Sequence, residues 1–174
     1  MALLTIEYPQ ADRKMMRQTI NILDGTIKDL RGVFEIVIPN MRQRLSIVFR
    51  RMAEPITNRA WPKLSEKYAK WKDENYPGKR ILERSGDLRR AASKKGARGQ
   101  VVIMKKQGMV FGVDGLGIYP LVHQVTSRVR NDGVAYRRTW FGFALKVLAM
   151  MFEMAIVEVV RKKFKRVRGA RFRK

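Results

Sequence analysis

The chain contains no cysteine, which excludes disulfides and thiolate metal sites and is compatible with a reducing compartment such as a cytoplasm. It has one histidine, His123, so a single subunit cannot gather imidazoles around a metal. Acid is scarce: 15 Asp and Glu face 38 Lys and Arg, for a formal charge of +23. The last fourteen residues, RKKFKRVRGARFRK, hold nine cations and no acid, and taking these nine away leaves +14 on the rest. Such a field favours a polyanion, whether nucleic acid, anionic lipid or an acidic protein surface, and charge alone does not choose among them. Long apolar runs are also lacking. The opening MALLTIEYPQ reads as no secretory leader, because its apolar stretch is short, carries Glu7 and meets Pro9. Residues 141–160 match a membrane span in length, but Lys146, Glu153 and Glu158 interrupt them. Each would cost about 2.5–3.5 kcal/mol at the centre of a bilayer, so a packed helix is the preferred reading.

What remains is enough to fold. The 174 residues are 45% hydrophobic, sufficient for one domain with a core plus extensions. No internal repeat is visible. Residues 1–25 read as an N-terminal arm with apolar residues at Met15, Met16, Ile20 and Leu23, closed by the break signal Asp24-Gly25. From Thr26 a helical period runs through Ile27, Leu30, Val33 and Phe34 to Val37 and Ile38. It resumes after Pro39 with Met41, Leu45, Val48, Phe49 and Met52. This predicts a long amphipathic helix that Pro39 kinks or restarts, since proline lacks the helix hydrogen-bond donor. Trp61-Pro62 reads as the start of a short helix carrying Leu64, Tyr68 and Trp71 on one face. Ser85 reads as the N-cap of another, with Asp87 near its positive end. KKGARG, residues 94–99, reads as a loop.

Two apolar stretches, Val101–Met104 and Met109–Val113, flank a turn ending at Gly108 and predict a β-hairpin. Residues 126–134 read as a polar loop and Val134–Arg138 as an edge strand guarded by its basic residues. A final helix is expected from Trp140 to about Phe164. The fold class is therefore α+β: a small antiparallel sheet packed with the long kinked N-terminal helix and the C-terminal helix. The domain plan is an arm (1–25), an α+β domain (26–160) and a basic C-terminal tail (161–174).

Four elements occur in a telling order. They are Trp61-Pro-Lys-Leu64, then Ile81-Leu82-Glu-Arg-Ser-Gly86-Asp-Leu88-Arg-Arg, then Tyr119-Pro-Leu-Val-His123-Gln124, and last Arg138-Thr-Trp-Phe141-Gly142. In this order they resemble the virion-morphogenesis and tail-completion family of tailed bacteriophages over about residues 58–145. Val125-Thr126 stands where that family carries an aromatic-glycine pair, and Pro120 and Arg-Thr-Trp are further departures. The resemblance implies an α+β subunit forming a ring, often a hexamer, at the head-proximal end of the tail. As tail terminator or head-tail joining protein, it would touch the tail tube protein and the head connector or adaptor. It would reside in the virion after assembly in the bacterial host cytoplasm. It implies no catalysis, cofactor or metal.

The other chemical readings are weaker. A catalytic His123 needs a positioned partner, and no nucleophile motif accompanies it. FGVDGLG, residues 111–117, lacks the helix that a dinucleotide fingerprint needs next, so it reads as a turn leaving the hairpin. Trp61, Tyr68 and Trp71 could stack bases, but their helical spacing favours core residues. Met150, Met151 and Met154 suit adaptable packing at an interface. The loops 94–99 and 126–137 are candidate docking points. Arg161, Lys162, Lys163, Lys165, Arg166, Arg168, Arg171, Arg173 and Lys174 are the candidate polyanion contacts, with non-specific contact to genomic DNA in a channel as their use. The alternative functions are a non-specific nucleic-acid-binding protein using the basic body and tail, and a membrane-active protein using residues 141–174.

Overall fold

The computed structural model describes residues 10–117, 120 and 138–171 of the chain. Helix α1 spans Gln10–Lys28 and helix α2 spans Arg31–Arg51. Helix α2 is where the period after Thr26 predicts a helix, whereas α1 makes residues 10–25, read from the sequence as an arm, helical as well. The interruption falls at Asp29–Leu30, whereas α2 runs on through Pro39 and α1 runs on through Asp24-Gly25. Distant chain sets this position. The Leu30 N–H donates to the Lys106 carbonyl at 2.7 Å, so the turn of the hairpin takes a donor that a continuous helix would have used itself. The Asp29 carboxylate accepts from the Arg31 backbone N–H at 3.2 Å and from its Nε at 2.9 Å. Pro39 lies on the exposed side of α2, where its missing donor disturbs no packed residue.

Helix α3 is Glu66–Asn75, starting later than Trp61-Pro62 suggests. Its N-cap is Ser65, whose hydroxyl accepts from the Tyr68 N–H. Helix α4 is Asp87–Ser93, and its N-cap is Gly86 rather than Ser85. Gly86 sits at φ 80°, a left-handed conformation that favours glycine, while Ser85 Oγ accepts from the Asp87 N–H. Strands β1 (Gln100–Lys105) and β2 (Gly108–Val113) pair antiparallel, with Val102 opposite Phe111. This is the hairpin that the sequence predicts. Residues 138–144 precede the last helix, α5, which covers Leu145–Arg171. It starts five residues after Trp140 and extends past Phe164, so positions 161–171 are helical.

Two cores hold these elements. In the first, Val33, Val37 and Met41 of α2 meet Met151 and Ala155 of α5, with Met109 and Phe111 of the hairpin against them. Phe34 and Phe152 contact edge to face at 6.1 Å. In the second, Leu45 and Phe49 of α2 meet Trp61, Leu82, Leu88, Ala92 and Trp140. Each such fully buried large side chain stabilises by about 1.5–3 kcal/mol. Contacts step from Gly32 against Val159 to Thr26 Oγ1 receiving the Lys163 ammonium at 2.9 Å. Decreasing number on the N-terminal stretch thus meets increasing number on α5. The two run antiparallel, with α2 along the first part of α5 and α1 along its last turns. No helix among the described residues is long and apolar enough to cross a membrane.

Candidate assembly surface

Of the residues that carry the resemblance, Trp61, Ile81, Leu82, Leu88, Trp140 and Phe141 come together in space by packing. Trp61 is buried, and its indole N–H donates to the Thr139 carbonyl at 2.9 Å. Arg138, also buried, returns the contact: Nε donates to the Pro62 carbonyl at 3.0 Å and Nη2 to the Lys63 carbonyl at 3.1 Å. Trp140 donates to the Pro120 carbonyl at 3.0 Å. Phe49 lies between the two indoles, 5.8 Å from Trp61 and 6.2 Å from Trp140. Leu82 and Leu88 complete this core, and Ile81 and Phe141 pack against it. Leu64 is half-buried. Gly86 caps α4, and a Cβ on Gly142 would touch Ile56 at 3.4 Å. Tyr119, His123 and Gln124 lie outside the described residues, as do the 126–134 loop and most of the expected edge strand.

A buried polar group sits beside this clasp. Lys72 donates its ammonium to the Arg80 carbonyl. Burial pushes its pKa below the usual lysine range, with Glu83 opposing and Arg138 reinforcing the shift. Glu83 accepts from Arg89 at 2.8 Å. The first bond ties α3 to the chain at residue 80, and the second ties residue 83 to α4. Among the described residues no group of three or more His, Cys, Asp or Glu is placed to hold a metal.

The surface carries features of another kind. Met16, Ile20, Leu23 and Ile27 are exposed on α1, Ile27 at 63%. They follow one another at four, three and four residues, which is one stripe of a helix. Thr26 is buried and Ile22 and Thr19 are half-buried, so the side of α1 that the protein covers is distinct from this stripe. A second stripe occupies α5, where Met150, Met154 and Val157 are exposed at the same kind of spacing. Met151 is instead buried in the core against α2, which corrects its expected place beside Met150 and Met154. Next to Met154 a groove of about 450 Å³ opens between α2, residues 53–58 and the start of α5, with Val48, Phe143 and Val147 in its walls and Arg44 and Arg51 on its lining.

The basic residues of 161–174 have unequal surroundings. Lys163 is half-buried on Thr26, and Lys162 pairs with Glu158 at 3.3 Å. Arg161, Lys165 and Arg166 are exposed to solvent. Arg168 and Arg171 stand in the last turns of α5, and Arg173 and Lys174 lie outside the described residues. In the KKGARG loop Lys94, Lys95 and Arg98 are exposed. Gly99 closes this loop at φ 81°, accepting from the Asp114 N–H at 2.8 Å.

One expectation is overturned. Tyr68 and Trp71 are not core residues: they are 42% and 39% exposed. Periodicity correctly puts them on one face of α3, but the protein covers the other side, where Lys72 and Ala69 lie. The charge of Lys72 marks its face as the solvent side, and its burial on the Arg80 carbonyl reverses that reading. No family model, curated protein or solved structure matches the chain.

Proposed function

We propose that this chain is a structural virion assembly protein of a tailed bacteriophage. It completes the tail, or joins tail to head, as a ring of identical copies at the head-proximal end of the tail. The observation that carries this reading is the pair of uncovered apolar stripes, Met16–Ile20–Leu23–Ile27 on α1 and Met150–Met154–Val157 on α5. The stripes differ, so one copy offering the first to the second of its neighbour makes a heterologous contact. Such contacts give a ring when the rotation closes. The family resemblance supports the same reading, and its residues Trp61, Leu82, Leu88 and Trp140 share one buried core. The tail tube protein and the head connector or adaptor are the proposed neighbours, and the positive surface suits passage of genomic DNA.

The test is the mass of nucleic-acid-free protein by light scattering, alone and with tail tubes. The expected result is a discrete ring, formed alone or on the tube, that Ile20→Glu with Ile27→Glu reduces to monomers without loss of helical content. A chain that remains monomeric in both settings and is absent from mature virions overturns the reading.

A further inference from the structure

We infer that the exposed face of α3 and the adjoining Arg84 form a stacking site for single-stranded nucleic acid. A base would lie on the Tyr68–Trp71 ring pair, and its phosphate would meet Arg84 and Arg98. This inference does not rest on the assembly reading. The two rings lie near parallel, 5.4 Å apart at 23°. Tyr76 abuts Trp71 at 5.7 Å. The Arg84 guanidinium lies over both, 5.8 Å from the Trp71 ring and 5.1 Å from Tyr76. Its Nε donates to the Tyr76 hydroxyl at 2.8 Å. The guanidinium is thus held in place before any ligand arrives, which reduces the ordering that binding would require.

Arg84 also lines a cleft of about 330 Å³ with Arg98, over Leu82, Leu88 and Leu116. The aromatic patch and the cleft thus share Arg84. Asp87, the carboxylate in that cleft, is ion-paired with Arg90, which reduces its repulsion of a phosphate. Exposed Lys63, Lys67, Lys70 and Lys79 add positive charge to this part of the chain, and exposed Glu66, Asp73 and Glu74 on α3 offset part of it. Exposed aromatic rings within a basic surface match the chemistry of an unpaired base joined to phosphate. A duplex hides its base faces and would use the charge alone.

The probe is a thymidine oligonucleotide added to the full-length, nucleic-acid-free protein. Trp61 and Trp140 are only 4% and 5% exposed, so quenching of tryptophan fluorescence reports chiefly on Trp71. We expect saturable quenching. Trp71→Ala should remove it and weaken binding, read by anisotropy of a labelled oligonucleotide, by roughly 5- to 100-fold. Trp71→Phe keeps a ring and should retain most of the affinity, which separates lost stacking from lost folding. Arg161→Ala with Lys165→Ala should weaken single strand and duplex alike and leave the quenching amplitude unchanged. Equal anisotropy-measured affinity in Trp71→Ala overturns the inference. So does equal quenching by a duplex, or quenching by phosphatidylglycerol vesicles with none by the oligonucleotide.

Discussion

At the scale of one residue, Arg138 ties distant segments of the chain together. Its buried guanidinium reaches two successive carbonyls, Pro62 and Lys63, while Trp61 reaches back to Thr139. Segments about 75 residues apart are thus tied by three hydrogen bonds. The planar fork suits two acceptors in a way that an ammonium does not. Arg138→Lys should therefore lose one of these two charge-assisted hydrogen bonds and lower stability by about 1–3 kcal/mol. Urea denaturation followed by circular dichroism measures this. An unchanged midpoint would mean that the fork adds nothing beyond a positive charge.

Helices and strands were legible where local chemistry decides them. The hairpin follows from two apolar stretches around a glycine turn, and it forms at that place in the chain. Helix α2 follows from the period after Thr26, while α1 lies mostly in residues read as an arm. The position of the break between them does not follow from the period, because the Lys106 carbonyl that captures Leu30 N–H comes from another element. Tyr68 and Trp71 fail for a related reason: a period names the residues that share a face and leaves open which face is covered. The break itself carries a pH-dependent contact. Hydrogen bonds from the Arg31 side chain and backbone hold the Asp29 carboxyl down to about 2 from 3.8. A carboxyl depressed by folding contributes stability above its unfolded pKa, and this is lost as pH falls through the folded one. The window runs from about pH 4 to about pH 2. The pair is exposed, so the effect is small. The thermal midpoint of wild type should exceed that of Asp29→Asn at pH 5, with the gap closing by about pH 2. A gap that persists into stronger acid would assign it to something other than this carboxylate.

The molecule as a whole sets its two surface properties against each other. A charge of +23 makes like copies repel, while the proposed contact between the exposed stripes on α1 and α5 would draw apolar surfaces together. Salt acts on these with opposite sign. It shortens the Debye length from about 10 Å at 0.1 M to about 3 Å at 1 M, which removes repulsion between copies and leaves apolar contact intact. Excluded salts such as sulfate strengthen apolar contact further. Binding to a polyanion depends on released counterions and weakens steeply over the same range. Self-association through the stripes should therefore rise with sodium sulfate concentration, while affinity for DNA falls. Sedimentation velocity of the protein alone, and anisotropy of labelled DNA, read the two slopes in one buffer series. Self-association that falls with salt alongside DNA binding would mean that charge holds the copies together. The apolar stripes would then have no part in assembly, and Ile20→Glu with Ile27→Glu should leave particle mass unchanged.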